Sequence, residues 1–358
     1  MEEKDGSYDS VVSEQFRAYQ GTSSGRSKQA IKDSVRKNLD AIIEHTFDLM
    51  QQCADSSLRN KEVLALSDYT STKFRTQHLR NLGAVYDVCN QLVLAKLGKE
   101  KNPVRRQQRL TTLLDTSKAM DWTRKYDRKE EGDKLFDYLR LRETIAHTDL
   151  RPENILYCDH DGVRHFSLCD LSDLRRGPAD LDLVSLLMDP RLAGIFSMEE
   201  IRAINDHHHA GLVDRYGAQL SKEYKPKDRF TLAAVHVLLD DIGSVTTHLK
   251  QINPQGGDIN TLEGFEQGEV EKMVPLGNVA EYFARQYLSL FRVLGSSDLF
   301  PHLRKGISAF APEPQRRALE ARLHIDHPNI LWRSLSSAWN AGRRWLSSSK
   351  NRMSSFNL

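Results

Sequence analysis

Asp149, Asn154 and Asp170 all lie in the stretch HTDLRPENILYCDHDGVRHFSLCD, residues 147–170. Asp149 and Asn154 precede a short apolar run, and Asp170 follows a second one. Carboxylate and amide oxygens suit Mg²⁺, which completes its shell with water and phosphate oxygens. In phosphoryl transfer, one Asp and one Asn hold the metal while another Asp receives the proton of the acceptor hydroxyl. By spacing, Asp149 would be the base, and Asn154 and Asp170 the metal ligands.

A β-hairpin is the element expected to position these residues. The runs ILYC (155–158) and VRHFSLC (163–169) contain strand-forming residues, and the pair Asp161-Gly162 between them favours a tight turn. In an antiparallel hairpin the start of the first strand lies beside the end of the second. We therefore expect Asn154 and Asp170 to lie close together, with Asp149 in the preceding loop.

The motif HTDLRPEN resembles the catalytic loop H-R-D-x-x-x-x-N of kinases, and Asp170 sits where kinases keep the DFG aspartate. The following GPADLDLVSLL looks like the aminoglycoside phosphotransferase and sugar kinase branch of that fold. The resemblance implies an ATP-dependent, Mg²⁺-dependent phosphotransferase. It also implies that His147 holds the catalytic loop through hydrogen bonds and that Asp182 braces this loop from a helix start.

The acceptor is expected to be a small molecule. Only residues 171–181 separate Asp170 from Asp182, whereas protein kinases place an activation segment and a peptide platform there. This spacing favours the hydroxyl of a sugar, an aminoglycoside or an amino alcohol. Arg151 has two interpretations: contact with the transferring phosphate, as for the basic residue in LKPEN of protein Ser/Thr kinases, or pairing with a neighbouring carboxylate.

Two other functions stay open on the sequence. One is a catalytically silent, pseudokinase-like scaffold that binds a protein partner. The other is an atypical protein Ser/Thr kinase, such as a secreted bacterial effector, which the Ser-rich leader would suit.

The upstream half departs from the kinase pattern, because its sequence predicts mainly helix where kinases have a strand-rich small lobe. GTSSGRSK (21–28) is better interpreted as a flexible loop before a helix than as a phosphate cradle, since its spacing fails the P-loop pattern. EVLALSDY (62–69) is the one strand-like run, with Ser67 where kinases have Lys. Lys61 and Lys73 are the nearest substitutes, so the nucleotide-binding residues stay unknown.

The predicted fold is α+β and protein-kinase-like, with a mainly helical C-lobe and an atypical, largely helical N-terminal half. Residues 1–29 are polar and predict a flexible leader. Residues 30–143 form the atypical N-lobe and residues 144–328 the C-lobe, while residues 329–358 form a basic amphipathic tail. Apolar residues at helical spacing predict helices within 31–53, 198–220, 228–249 and 278–294. The consecutive histidines 207–209 point to different faces of a helix, which indicates an exposed polar helix and no metal site.

Composition limits the partners and the compartment. The 51 Lys and Arg nearly balance the 49 Asp and Glu, so no overall field favours nucleic acid. Four widely spaced cysteines and the lack of a signal segment predict reduced thiols in the cytoplasm. Three tryptophans and an excess of basic residues in the last 30 residues suit either a terminal helix docked on the body or peripheral membrane contact.

Overall fold

The computed structural model describes residues 4–59, 130–217, 219–252, 279–295, 297–301, 303–304 and 317. The chain divides into two compact units, residues 1–323 and residues 324–358. The second unit, with the predicted basic tail at 329–358, lies outside the described residues. So do the strand-like run at 62–69, with Ser67 and Lys61, and the neighbouring Lys73.

Residues 4–21 form a strand and a helix, within the segment 1–29 that was predicted as a flexible leader. Strand β1 spans Lys4–Ser7 and helix α1 spans Tyr8–Gly21. The Ser7 hydroxyl caps the helix by accepting the N–H of Asp9 at 3.2 Å. The apolar face of α1 buries Tyr8, Val12, Phe16 and Tyr19. These large side chains supply the buried surface that offsets the entropy of ordering a segment of polar average composition.

Helix α2 spans Gly25–Arg59 and follows α1 after the short connection at residues 22–24. GTSSGRSK therefore contains the end of one helix, a connection and the start of the next, which agrees with its interpretation as a loop before a helix. The predicted apolar face of α2 is buried at Val35, Leu39, Ile42, Ile43, Phe47 and Met50.

The predicted hairpin is confirmed. Strand β3 (Ile155–His160) pairs antiparallel with β4 (Val163–Leu168), in a register that runs from Ile155 opposite Leu168 to His160 opposite Val163. The turn residues Asp161 and Gly162 have φ angles of 51° and 76°. Positive φ at both turn positions is the type I′ geometry that Asp-Gly favours.

Two small antiparallel sheets frame the middle of the chain. β1 pairs with the other edge of β3, which gives the order β1-β3-β4. The second sheet joins β2 (Thr144–Ala146) to β5 (Arg175–Gly177). Short 3₁₀ turns at Pro152–Asn154 and Leu171–Asp173 flank the hairpin.

Helices form the rest of the described fold, so the chain is an α+β protein. α3 spans Glu130–Leu139, and after β5 come α4 (Leu181–Leu187), α5 (Leu192–Ile195), α6 (Met198–Tyr216), α7 (Pro226–Ile252) and α8 (Val279–Gly295). The predicted helices at 198–220, 228–249 and 278–294 are thus confirmed. α7 packs against α3, α4, α6 and α8, and α2 packs against β2, β4 and α6.

The prediction of an exposed polar helix at the consecutive histidines is wrong for two of them. His207 is exposed, but His208 and His209 are buried. His208 Nε2 lies 2.8 Å from Oδ1 of Asp40 on α2, which compensates for the burial of a polar ring. Burial lowers the pKa of both His208 and His209.

Within the described part of the chain, no helix is both long and apolar enough to cross a membrane. The cysteines at positions 53, 158 and 169 are free thiols.

Candidate functional site

The predicted catalytic loop, residues 147–154, connects the two small sheets. It leaves β2 after Ala146 and enters β3 at Ile155 through the 3₁₀ turn Pro152–Asn154. Pro152 occupies the first position of this turn, where its fixed φ is favourable and its missing N–H costs nothing. The turn closes with a hydrogen bond from the N–H of Asn154 to the carbonyl of Arg151 at 2.9 Å.

Asn154 contacts Asp149 directly. Its amide nitrogen donates to the backbone carbonyl of Asp149 at 2.9 Å and to the Oδ2 atom of the same residue at 3.2 Å. These bonds fix the orientation of the amide and leave its oxygen, Oδ1, as the atom that could bind a cation. The structure therefore brings the predicted base and one predicted metal ligand together.

Asp170 reaches the same end of the hairpin through the backbone. The N–H of Cys169 donates to the carbonyl of Asn154 at 3.0 Å, so Asp170 follows the last ladder bond immediately. Asp170 has a left-handed backbone with φ 55°, and its Oδ1 accepts the Ser172 hydroxyl at 2.8 Å. No hydrogen bond links its carboxylate to Asp149 or Asn154 among the bonds of the described residues.

Asp182 holds the start of the loop from the first turn of α4. Its Oδ2 accepts the N–H of His147 at 2.7 Å and its Oδ1 accepts the N–H of Thr148 at 2.9 Å. Thr148 has a φ of 67°, a conformation that costs a non-glycine residue about 1–3 kcal/mol. Burial raises the pKa of Asp182, and the hydrogen bond from His147 opposes that increase. The carboxylate therefore ties a strained loop to a helix.

His147 is fully buried and spans from the loop to the end of the hairpin. Its Nε2 lies 2.9 Å from the carbonyl of Cys169. Because a carbonyl can only accept, Nε2 carries the proton in the neutral ring. His147, which precedes the strained Thr148, is thus bonded to Cys169, which precedes Asp170.

Arg151 pairs with carboxylates on two sides. Its Nε lies 2.5 Å from Oδ1 of Asp149, and its Nη2 lies 2.8 Å from Oδ1 of Asp241 on α7. The Asp241 carboxylate raises the pKa of Arg151 above its ordinary value. Of the two interpretations of Arg151, the geometry favours pairing with neighbouring carboxylates.

Asp240 and Asp241 belong to this site, although the sequence interpretation did not single them out. Burial raises the pKa of Asp240 to about 6, and the neighbouring Asp241 and Asp149 carboxylates add to the increase while Arg151 opposes it. Gln286 of α8 donates to Oδ2 of Asp241 at 2.9 Å. The signal in the sequence was a pair of consecutive acids within the mainly apolar run LAAVHVLLDDI, residues 232–242.

The oxygen donors at the hairpin end fit Mg²⁺ by their chemistry. An amide oxygen from Asn154 and a carboxylate from Asp170 are hard ligands, and Mg²⁺ commonly uses only one or two protein carboxylates. In the described ranges, no three or more His, Cys, Asp or Glu side chains are grouped so that they could hold a metal ion. An Asp and Asn pair would therefore depend on phosphate oxygens and water to complete the shell.

No protein-family model matches this chain. No curated protein matches it either.

Proposed function

We propose that this chain is a kinase-like phosphotransferase that moves the γ-phosphoryl group of ATP to a hydroxyl of a small molecule. The observation that carries the proposal is the contact between Asn154 and Asp149. The Asn154 amide bonds both the backbone and the carboxylate of Asp149. One loop thus presents a carboxylate and an oriented amide oxygen beside the hairpin end that carries Asp170.

Asp149 would act as the general base. As the acceptor oxygen forms a bond to the γ-phosphorus, the bond from that phosphorus to the bridging oxygen of ADP breaks. The hydroxyl proton moves to a carboxylate oxygen of Asp149. Oδ1 of Asp149 faces Arg151 and Oδ2 faces Asn154, so the carboxylate is held on both sides.

Asn154 and Asp170 would hold Mg²⁺ through their side-chain oxygens. When bound, the ion neutralises charge on the phosphates during transfer. The backbone bond between Cys169 and Asn154 keeps the two ligand-bearing segments together.

A short, paired segment between Asp170 and Asp182 supports a small-molecule acceptor. Residues 171–173 form a 3₁₀ turn, Arg175–Gly177 pair with β2, and α4 begins at Leu181. A strand of only three residues between a turn and a helix offers little length for an extended peptide to pair with. Among the described residues at the loop, the carboxylates of Asp149, Asp240 and Asp241 outnumber the single cation Arg151. This excess of negative charge suits a hydroxyl compound that also carries an amine.

Transfer of radiolabelled phosphate from Mg-ATP tests the proposal, with sugars, aminoglycosides and amino alcohols offered separately as acceptors. We expect Asp149→Asn and Asp170→Asn each to lower transfer by about 100-fold or more, as loss of a base or metal ligand does. Asp161→Asn is the matched control, because Asp161 is 88% exposed at the far hairpin turn and Asn tolerates its positive φ.

Three results would contradict or replace the proposal. If both Asp149→Asn and Asp170→Asn still transfer phosphate at the wild-type rate, the roles of base and metal ligand assigned to these residues are wrong. Nucleotide binding without transfer to any acceptor supports the scaffold alternative. Transfer to a protein substrate alone supports an atypical protein kinase.

A further inference from the structure

Arg191 links the first helix of the chain to the predicted catalytic loop. Its side chain is 1% exposed. Its Nη1 donates to Asp9 and, at 2.9 Å, to the Ser13 hydroxyl, both on α1. Its Nη2 donates to Oε1 of Glu153 at 3.1 Å, in the 3₁₀ turn of the catalytic loop. One buried guanidinium therefore joins two segments that are far apart in sequence.

Asp189 fixes the orientation of this guanidinium. Oδ1 of Asp189 accepts the Arg191 backbone N–H at 2.8 Å and Nε at 3.1 Å, and Oδ2 accepts Nη2 at 2.8 Å. A planar guanidinium held on one edge directs its remaining donors in fixed directions. Those directions point to Glu153 and to α1.

Further contacts hold the N-terminal segment beside this turn and beside α5. Ser7, the last residue of β1, pairs with Leu156 of β3, and its hydroxyl lies 3.5 Å from the carbonyl of Pro152. Phe16 of α1 lies against α5, where a Cβ added at Gly194 would lie 2.6 Å from the Phe16 ring. A larger residue at this position would displace Phe16, so glycine allows α1 to lie close to the segment that follows Arg191.

We propose that Asp9 and Arg191 are positioning residues for the catalytic loop, acting on Asn154 through Glu153. The neighbouring Glu153 and Asn154 share one short turn, so a shift of Glu153 would move the Asn154 amide relative to Asp149. The first strand and helix thus contribute to the site through Arg191 and Glu153. The catalytic consequence rests on the proposed function, while the structural link does not.

The test compares the full chain with Asp9→Ala, Asp9→Asn and Glu14→Ala. Glu14 is an exposed residue of the same helix and serves as the matched control. Two quantities are measured: hydrogen exchange at the amides of Asn154 and Cys169, and kcat and KM for Mg-ATP in phosphate transfer. Asp9 is partly exposed in its side chain, so its replacement should leave the fold intact.

We expect Asp9→Ala to speed exchange at both amides by about tenfold and to lower kcat by about tenfold, with KM changed less than about twofold. Asp9→Asn keeps an acceptor oxygen, so its exchange rates and its kcat should lie close to those of the wild type. Glu14→Ala should match the wild type. A loss of thermal stability without faster exchange at these amides would overturn the positioning role, as would faster exchange with unchanged kcat.

The two proposals fail in different ways. If the wild type transfers phosphate to no acceptor but Asp9→Ala still speeds exchange at Asn154 and Cys169, the positioning contact stands and the proposed function does not. If the wild type is active and Asp9→Ala changes neither quantity, the proposed function stands and the positioning role is overturned.

Discussion

The guanidinium Nε of Arg151 lies 2.5 Å from Oδ1 of Asp149. The same guanidinium also pairs with Asp241 of α7. One intervening cation therefore ties the predicted base, Asp149, to Asp241, a residue more than ninety positions later in the sequence. This arrangement makes the surroundings of Asp149 sensitive to changes on α7.

Replacing Arg151 by Gln should destabilise the fold, because Asp241 is then left buried without its cation. We expect the free energy of unfolding to fall by about 2–3 kcal/mol. This loss is smaller than for a fully buried pair because Arg151 is partly exposed. The double variant Arg151→Gln/Asp241→Asn should recover most of that loss, as measured by urea unfolding at pH 7. Arg140→Gln is the control, because its pair with Asp137 is largely exposed. Additive losses in the double variant would show that the two residues are not coupled.

Asp240→Asn should stabilise the chain at neutral pH and leave it unchanged in acid. The pKa of Asp240 is raised from 3.8 to about 6 in the folded protein, chiefly by burial. The folded state therefore holds this proton more tightly than the unfolded chain does, and the resulting stability is lost as pH rises from about 4 to about 6. Asn mimics the protonated carboxyl without that loss.

We expect the free energy of unfolding of Asp240→Asn to exceed that of the wild type by about 1–3 kcal/mol at pH 7.5 and to equal it at pH 4. Urea unfolding at both pH values measures this, with the exposed Asp206→Asn as control. An equal difference at pH 4 and pH 7.5 would show that Asp240 does not titrate in this window.

Asp182→Ala should lower the free energy of unfolding by about 2–4 kcal/mol, because the buried N–H of His147 and the part-buried N–H of Thr148 lose their acceptor. Asp182→Asn keeps one acceptor oxygen and should cost roughly half as much. Both variants should also lower phosphate transfer, since Thr148 can then leave its positive φ. The exposed Asp214→Ala, on α6, should change neither unfolding free energy nor transfer. If Asp182→Ala is as stable as the wild type but inactive, the loss of transfer comes from the changed loop geometry and the predicted loss of stability is wrong.

Arg229 of α7 occupies a buried network away from the loop. It bonds Glu143 and Asp180, and Tyr138 donates to Oδ1 of Asp180 at 2.8 Å. Arg229→Met leaves two buried carboxylates without a cation, so we expect a loss of about 3–5 kcal/mol at pH 7. Urea unfolding at pH 7 measures this loss, with the exposed Lys227→Met as control.

The hairpin and the later helices could be predicted because their signals are local. Asp161-Gly162 specifies its turn through backbone preference alone, and α7 shows its buried face in its own spacing. The placement of Asn154 next to the end of β4 follows from hairpin pairing, so this part of the site was also accessible from sequence.

The remaining contacts depend on pairs that are distant in sequence. Nothing near residues 4–7 indicates that they pair with β3, and the polar average of the leader hides the buried face of α1. The link from Arg191 to Asp9 and Glu153 is set by packing of several elements, as is the burial of His208 against α2. Asp240 and Asp241 were visible as an acidic pair, but only the fold directs them toward Asp149.

The pairing of Lys4 with Asp159 has a consequence for biosynthesis. The first strand leaves the ribosome long before its partner exists, and closing so long a loop costs about 4–5 kcal/mol of chain entropy. The β3–β4 turn needs no such closure and can form as soon as it emerges. The nascent chain would therefore carry β1 as an unpaired segment, which adds to the sheet only after the hairpin has formed.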